Sequence, residues 1–141
     1  MNPSTSTSGV ATHNGLFAVI ASDLRRVEER LHSPVGSGGS LLSAVTRHAL
    51  ASGGKRIRPA LLLLAARACG VGGCDRSVML ASATEMMHAA SLLHDDIVDH
   101  AATRRGHPSA MAHWGADVSV LVGDFLYTRA IQDLVRDRDR R

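Results

Sequence analysis

An all-α fold, a helical bundle, is predicted for this 141-residue chain by three features of its sequence. Apolar residues make up 45% of it and are mostly Ala and Leu, which are strong helix formers. Aromatics amount to only 3% and β-branched runs are scarce, which disfavours sheet. The apolar residues also recur at intervals of three and four, the period of a helix with one face in a core.

The elements follow in order. Residues 1–14, rich in Ser and Thr, predict a disordered tail and leave 15–141 as one helical domain. Leu16, Ile20, Leu24, Val27 and Leu31 form the apolar stripe of a first helix, with Arg25, Arg26, Glu28 and Glu29 on its wet face. Pro34 to Gly39 reads as a linker. Ser40 is placed to cap a second helix, Leu41 to Ala51, which Ser52-Gly53-Gly54 ends. Pro59 suits the first turn of a third helix, about residues 58–69. After the break at Gly70 to Gly73, Asp75 starts a long helix to about His100. That helix is small and apolar on nearly every face, which predicts other helices around it. Residues 101–108 read as a basic loop, 110–114 as a short turn, and Asp117 to about Arg136 as a final helix. The alternating Arg and Asp of residues 136–141 read as a solvated, fraying helix tip, or as the end of a truncated or split parent.

Composition narrows the function. The net charge is +3, but the basic residues are not interleaved with aromatics, which argues against nucleic acid. A mildly basic chain suits a small anion such as a phosphate ester. Cys69 and Cys74 lack a His-rich neighbourhood, so free thiols in a reducing compartment are expected rather than a metal site. No secretory signal is visible at the N-terminus. The longest wholly apolar run, Pro59 to Ala66, is too short to span a bilayer. A cytoplasmic protein with no membrane span is expected. No Gly-rich nucleotide loop of Rossmann or Walker type occurs.

Three segments carry chemistry. On a helix, Asp95 and Asp99 of Asp95-Asp96-Ile97-Val98-Asp99 stand one turn apart on one face, with Asp96 on the flank. Like charges at that spacing, near a helix C-terminus, weaken the helix unless cations occupy them. Hard oxygen ligands of this kind suit Mg²⁺ completed by water and phosphate; a solvated acidic face is the plainer reading. The segment Gly53-Gly54-Lys55-Arg56-Ile57-Arg58-Pro59 combines close backbone approach, two cation types and a helix N-terminus, all favourable to phosphate, or else is a basic cap. Thr103-Arg104-Arg105-Gly106 puts two arginines just past the carboxylates, where a diphosphate can be held between metal and guanidinium, or else is a charged loop. His88 lies two turns before Asp95, along the same helix surface.

In this order the motifs resemble the first half of the trans-isoprenyl (polyprenyl) diphosphate synthase family, and Gly123-Asp124-Phe125-Leu126 fits the family's next helix. The resemblance covers roughly residues 16–135. It implies a partial isoprenoid-synthase fold and a Mg²⁺-dependent prenyltransferase. Such an enzyme condenses isopentenyl diphosphate with an allylic diphosphate. It implies catalytic roles for Asp95, Asp96 and Asp99, with Asp95 and Asp99 as the main metal ligands. Arg104 would hold the allylic diphosphate, and Lys55, Arg58, His88 and Arg105 the isopentenyl diphosphate. Met87, Ala90 and Ser91 would form the floor that sets product length; Ala90 and Ser91 are small and no Phe or Tyr stands there, which favours a long chain. The family's second aspartate-rich motif is missing, since Asp133 and Asp137 lack a paired aspartate and lie in a charged tail. The resemblance therefore implies an oligomer, homomeric or heteromeric, or a partner that supplies that motif. Two other readings are a non-catalytic or co-catalytic subunit of a heteromeric synthase, and an HD-type metal phosphohydrolase built on His94-Asp95 with His113 and Asp117.

Overall fold

The computed structural model describes residues 15, 17–33, 40–51 and 55–138. The expected tail, the 34–39 linker and Gly53-Gly54 lie outside the described residues. A 3₁₀ turn, Ala18–Ile20, leads into α1 (Ala21–His32), followed by α2 (Leu41–Ala51), α3 (Ile57–Ala68) and α4 (Asp75–Val98). A two-stranded hairpin, β1 (Thr103–Arg104) and β2 (His107–Pro108), precedes α5 (Ala110–Trp114) and α6 (Ala116–Arg138). The all-α architecture expected from composition is what forms.

Helix α4 is the axis of the bundle. It packs most extensively on α6, and also on α3 and α1. Its small residues permit this: Ala81, Ala83 and Ala90 are each at most 1% exposed and let neighbouring backbones come close. Met86 and Leu93 fill the space between, and each large apolar side chain so buried contributes about 1.5–3 kcal/mol. Ser82 is fully buried, and its hydroxyl donates to the Val78 carbonyl at 2.8 Å. Opposite α4, Val27 and Leu31 of α1, Leu63 of α3, and Val122, Leu126 and Ala130 of α6 close the core. Gly123 is buried on α6 because a Cβ there would run into the His94 ring on α4. That glycine sets how closely α6 approaches the acidic end of α4.

The ends of α4 are set by side chains near them. Cys74 is the N-cap, its sulfur accepting the Ser77 N–H at 3.4 Å. Both cysteines are free and exposed. The helix stops at Val98, two residues earlier than the sequence suggests, because His100 turns to φ +49°. Residues 101–108, expected to be a plain loop, instead pair Thr103 with Pro108 and Arg104 with His107. Arg105 and Gly106 at the tip both have positive φ, 51° and 82°, the backbone that a two-residue hairpin needs.

The end of α6 corrects a second expectation. Asp133 is not in a solvated tail: it is 3% exposed and accepts from Arg30 of α1 at 2.9 Å. Asp137 accepts from Arg76 at the start of α4, with Arg76 Nη2 at 2.8 Å. Both carboxylates therefore fasten α6 to the bundle. No helix of the described residues is long and apolar enough to cross a membrane.

Candidate functional site

The end of α2, the start of α3, α4, the hairpin and the start of α5 line a cavity of about 460 Å³. The face of α4 that lines it is Glu85, His88, Ala89, Leu92, Leu93 and Asp96, a stripe at helical spacing. Lys55, Arg56 and Arg58 enter from the start of α3, and Arg104 and Arg105 from the hairpin. The substrate-binding residues expected from the sequence, Lys55, Arg58, His88, Arg104 and Arg105, thus share one cavity. Four residues that sequence reasoning left without a role join them: His48, Arg56, Glu85 and His107.

Charge in this cavity is unevenly compensated. Asp96, 3% exposed, accepts from Arg104 Nε at 2.8 and 3.0 Å, and Arg104 Nη2 lies 2.6 Å from the same carboxylate. Those hydrogen bonds outweigh the burial of Arg104 and raise its pKa above the ordinary value. Arg56 is held by Glu28 and Glu85. Among the described residues no ion pair takes up Lys55 or Arg58, so positive charge remains in the cavity for an anion. A second cleft, about 640 Å³ between α1, the start of α4 and the end of α6, is lined by Arg26, Arg30 and Arg76, each paired with aspartate, and by Arg136.

His88 shares its cavity with Asp96 rather than with Asp95 and Asp99, which do not line it. Successive residues on a helix turn by about 100°, so Asp95 stands on the edge of the stripe that ends at Asp96. Burial, and then the Arg58 guanidinium, hold the His88 imidazole below its usual pKa, with Arg105 and Arg104 adding to this and Glu85 opposing it. The ring is therefore neutral near neutrality and able to donate a single N–H to an oxygen anion. A depressed pKa in the folded state makes stability complete above the unfolded value of about 6.5 and lost as pH falls below it. Replacing His88 with Gln should thus shrink the drop in the urea midpoint between about pH 7 and about pH 5. An equal drop in both proteins would contradict this placement of the ring.

Asp95 and Asp99 are exposed at the C-terminal end of α4, and the Asp99 N–H donates to the Asp95 carbonyl at 2.8 Å. Among the described residues no group of three or more His, Cys, Asp or Glu side chains converges to hold a metal ion. Two carboxylates one turn apart are nonetheless a donor set that suits a hard cation completed by water and phosphate oxygens. Beside them His94 stands 3.5 Å from Asp124 of α6. His113, which a phosphohydrolase would need, is instead packed on Trp114, with ring centroids 4.2 Å apart, and stacked on His48 at 6.5 Å. Of the residues expected to form the floor, Met87 is half-buried and Ala90 is 1% exposed. Ser91 is exposed, its hydroxyl donating to the His88 carbonyl at 2.8 Å.

His48 is illegible in sequence because its partner, the Pro108 carbonyl at 3.0 Å, lies sixty residues away. Glu85 did leave a signal: it is the one carboxylate between Asp75 and Asp95 on an otherwise apolar helix, one turn before His88.

A family model described as polyprenyl synthetase matches residues 39–140. The chain is 42% identical over 124 residues to an all-trans-nonaprenyl-diphosphate synthase (geranyl-diphosphate specific) of Rhodobacter capsulatus, covering 88% of this chain and 38% of that one. It is 40% identical over 117 residues to heptaprenyl diphosphate synthase component 2 of Geobacillus stearothermophilus, covering 83% and 36%. It superposes on the crystal structure of a polyprenyl synthase of Caulobacter crescentus, solved with calcium and isoprenyl diphosphate, with a TM-score of 0.77 and 36% identity over 95% of this chain and 39% of that one. The chain spans a little over a third of the length of these relatives. A helical bundle whose basic cavity adjoins an aspartate-rich helix end, matched by that model over most of its length, makes this chain a member of the polyprenyl synthetase family.

Proposed function

We propose that this chain forms part of a prenyltransferase that joins isopentenyl diphosphate to an allylic diphosphate, giving a long polyprenyl diphosphate. The observation that carries the reading is the cavity itself: Lys55, Arg58, His88 and Arg105 line one space with an apolar wall of Ile57, Ala89 and Leu92. That combination suits a molecule with a doubly ionised diphosphate head and a five-carbon tail. The cations hold the head, Arg58 by a planar fork and Lys55 as a point charge. Neutral His88 donates one further hydrogen bond. The apolar wall orients the alkene and keeps water from the carbon that will accept it.

The allylic diphosphate belongs at the edge of this cavity, between Arg104 and the exposed Asp95 and Asp99. Asp96 fixes Arg104 through Nε and Nη2, which leaves Nη1 free of that carboxylate. Asp95 and Asp99 are the residues that would hold Mg²⁺, which when bound supplies charge neutralisation to the departing diphosphate. The Caulobacter structure, with calcium and isoprenyl diphosphate, supports such a pairing of divalent cation and diphosphate in this fold. Absence of bulk at Ala90 and Ser91 supports a long product. Several large apolar side chains of α4 and α6 stand exposed: Val98 at 77%, Leu121 at 68%, Val135 at 55% and Tyr127 at 49%. Exposed apolar side chains of this size suit cover by a partner or by further polypeptide. The likeness to a relative named as component 2 supports a heteromeric synthase as one form of that partnership.

Titration of isopentenyl diphosphate into the chain by calorimetry tests the reading. Arg58→Ala should weaken binding by about one to two decades, the worth of a charge-assisted hydrogen bond. Unchanged affinity in a folded Arg58→Ala protein would remove the cavity from the reaction.

A further inference from the structure

Glu85 poses a problem for a cavity that takes a diphosphate. It is 6% exposed, and it lines the same space as Lys55, Arg58 and His88, one helical turn from the last of these. A bare carboxylate there repels the ligand. Arg56 answers it. Its Nη1 donates to Glu85 Oε1 at 3.0 Å, its Nη2 donates to the Leu50 carbonyl at 2.9 Å, and Nε and Nη2 donate to Glu28 of α1. One guanidinium therefore ties α1, the end of α2 and α4 to the turn that carries Lys55 and Arg58. Arg56 itself sits at φ +49°, a left-handed conformation that a non-Gly residue adopts only at a cost. Its hydrogen bonds offset that cost. Burial alone would lower its pKa, but the contacts with Glu28 and Glu85 outweigh it and the group stays charged.

We infer that Arg56 is a positioning residue whose task is to mask the Glu85 carboxylate inside the diphosphate cavity, leaving Lys55 and Arg58 to meet the ligand. The inference rests on the proposed diphosphate reading of that cavity and adds a division of labour within the Lys55-Arg56-Ile57-Arg58 segment. Arg56 faces carboxylates, and its neighbours face the anion.

The test is calorimetric titration of the whole chain with inorganic pyrophosphate, at one fixed pH, with a melting curve for each protein. Wild type should bind, and Arg58→Ala should lose most of that binding. Arg56→Gln exposes Glu85 and should weaken binding by about tenfold or more. Adding Glu85→Gln to it should recover most of the loss, although the double variant gains no cation and no new ligand. Arg56→Lys, which keeps a charge at Glu85, should stay close to wild type in affinity if it folds. Failure of the Arg56→Gln/Glu85→Gln protein to recover affinity, with wild type binding and Arg58→Ala impaired, would overturn the masking role alone. Arg56 would then be a direct ligand or a purely structural residue. If Arg56→Gln proves too unstable to titrate, Glu85→Gln alone decides: the masking role predicts unchanged or slightly tighter binding, and weaker binding overturns it. No binding by wild type, or full binding by Arg58→Ala, would overturn the diphosphate reading and the inference together.

Discussion

Changing Asp95 and Asp99 together to Ala will abolish the magnesium-dependent part of allylic diphosphate binding while leaving the fold intact. Both carboxylates are exposed at the C-terminal end of α4, where the helix dipole disfavours anions. Like charges one turn apart cost a helix about 0.2–0.5 kcal/mol, and the unfavourable dipole about 0.3–1 kcal/mol. The double variant should therefore melt at or slightly above the wild-type temperature in the absence of metal. Titration of an allylic diphosphate with and without Mg²⁺ reads the other half of the prediction. Wild type should show a difference between the two conditions, and the variant none. A magnesium effect of unchanged size in the variant would assign the metal to other residues. Binding of isopentenyl diphosphate in the cavity should persist in the variant, because neither aspartate lines it.

Asp96→Ala is expected to act in the opposite sense, on stability first. The Asp96 side chain is 4% exposed and accepts three close contacts from Arg104, whose own side chain is only 28% exposed. Removing it leaves a partly buried guanidinium without its acceptor, at a cost of about 1–3 kcal/mol. The hairpin that carries Arg104 and Arg105 then loses its tether to α4. Denaturant midpoints should fall accordingly, and affinity for both diphosphates should fall with them. Asp96→Asn keeps an acceptor without the charge and should land between the two. An Asp96→Ala protein as stable as wild type would show that the carboxylate does not hold the hairpin. The two predictions separate three aspartates that look alike in sequence: one holds an arginine, and two face solvent at the helix end.

Much of this architecture is legible in the sequence, and the parts that are not share a physical cause. The stripe Ile20, Leu24, Val27 and Leu31 announces α1, the break at Gly70 to Gly73 announces the gap before α4, and Asp75 opens α4 as its charge suggests. All of these are local periodicities and local caps. The gathering of Lys55, Arg58, His88, Arg104 and Arg105 in one cavity follows the resemblance that their order suggested. Pairings across the bundle are invisible to a local reading. Asp133 and Asp137 read as a charged tip because their partners Arg30 and Arg76 lie on other helices. The hairpin reads as a loop because its strands are two residues each, too short to alternate. Glu85 stands out in sequence as a lone carboxylate on α4, but its pairing with Arg56 forms only when α1, α3 and α4 meet.

If these residues contribute one side of a prenyl-transfer site, a condensation assay will read it out. The chain, purified to homogeneity, is incubated with labelled isopentenyl diphosphate, an allylic diphosphate primer and Mg²⁺. The same assay is run with a polypeptide that carries a second aspartate-rich helix of the family. One carboxylate face recruits Mg²⁺ only weakly, since that ion keeps its waters until its geometry is completed. Exposed apolar side chains such as Val98 and Leu121 are available for such a polypeptide to cover. The account predicts no elongation by the chain alone, prenyl product when the second polypeptide is added, and loss of that product with Arg58→Ala. Robust elongation by the pure chain alone would contradict it, as would product formation by the pair that is indifferent to Arg58→Ala.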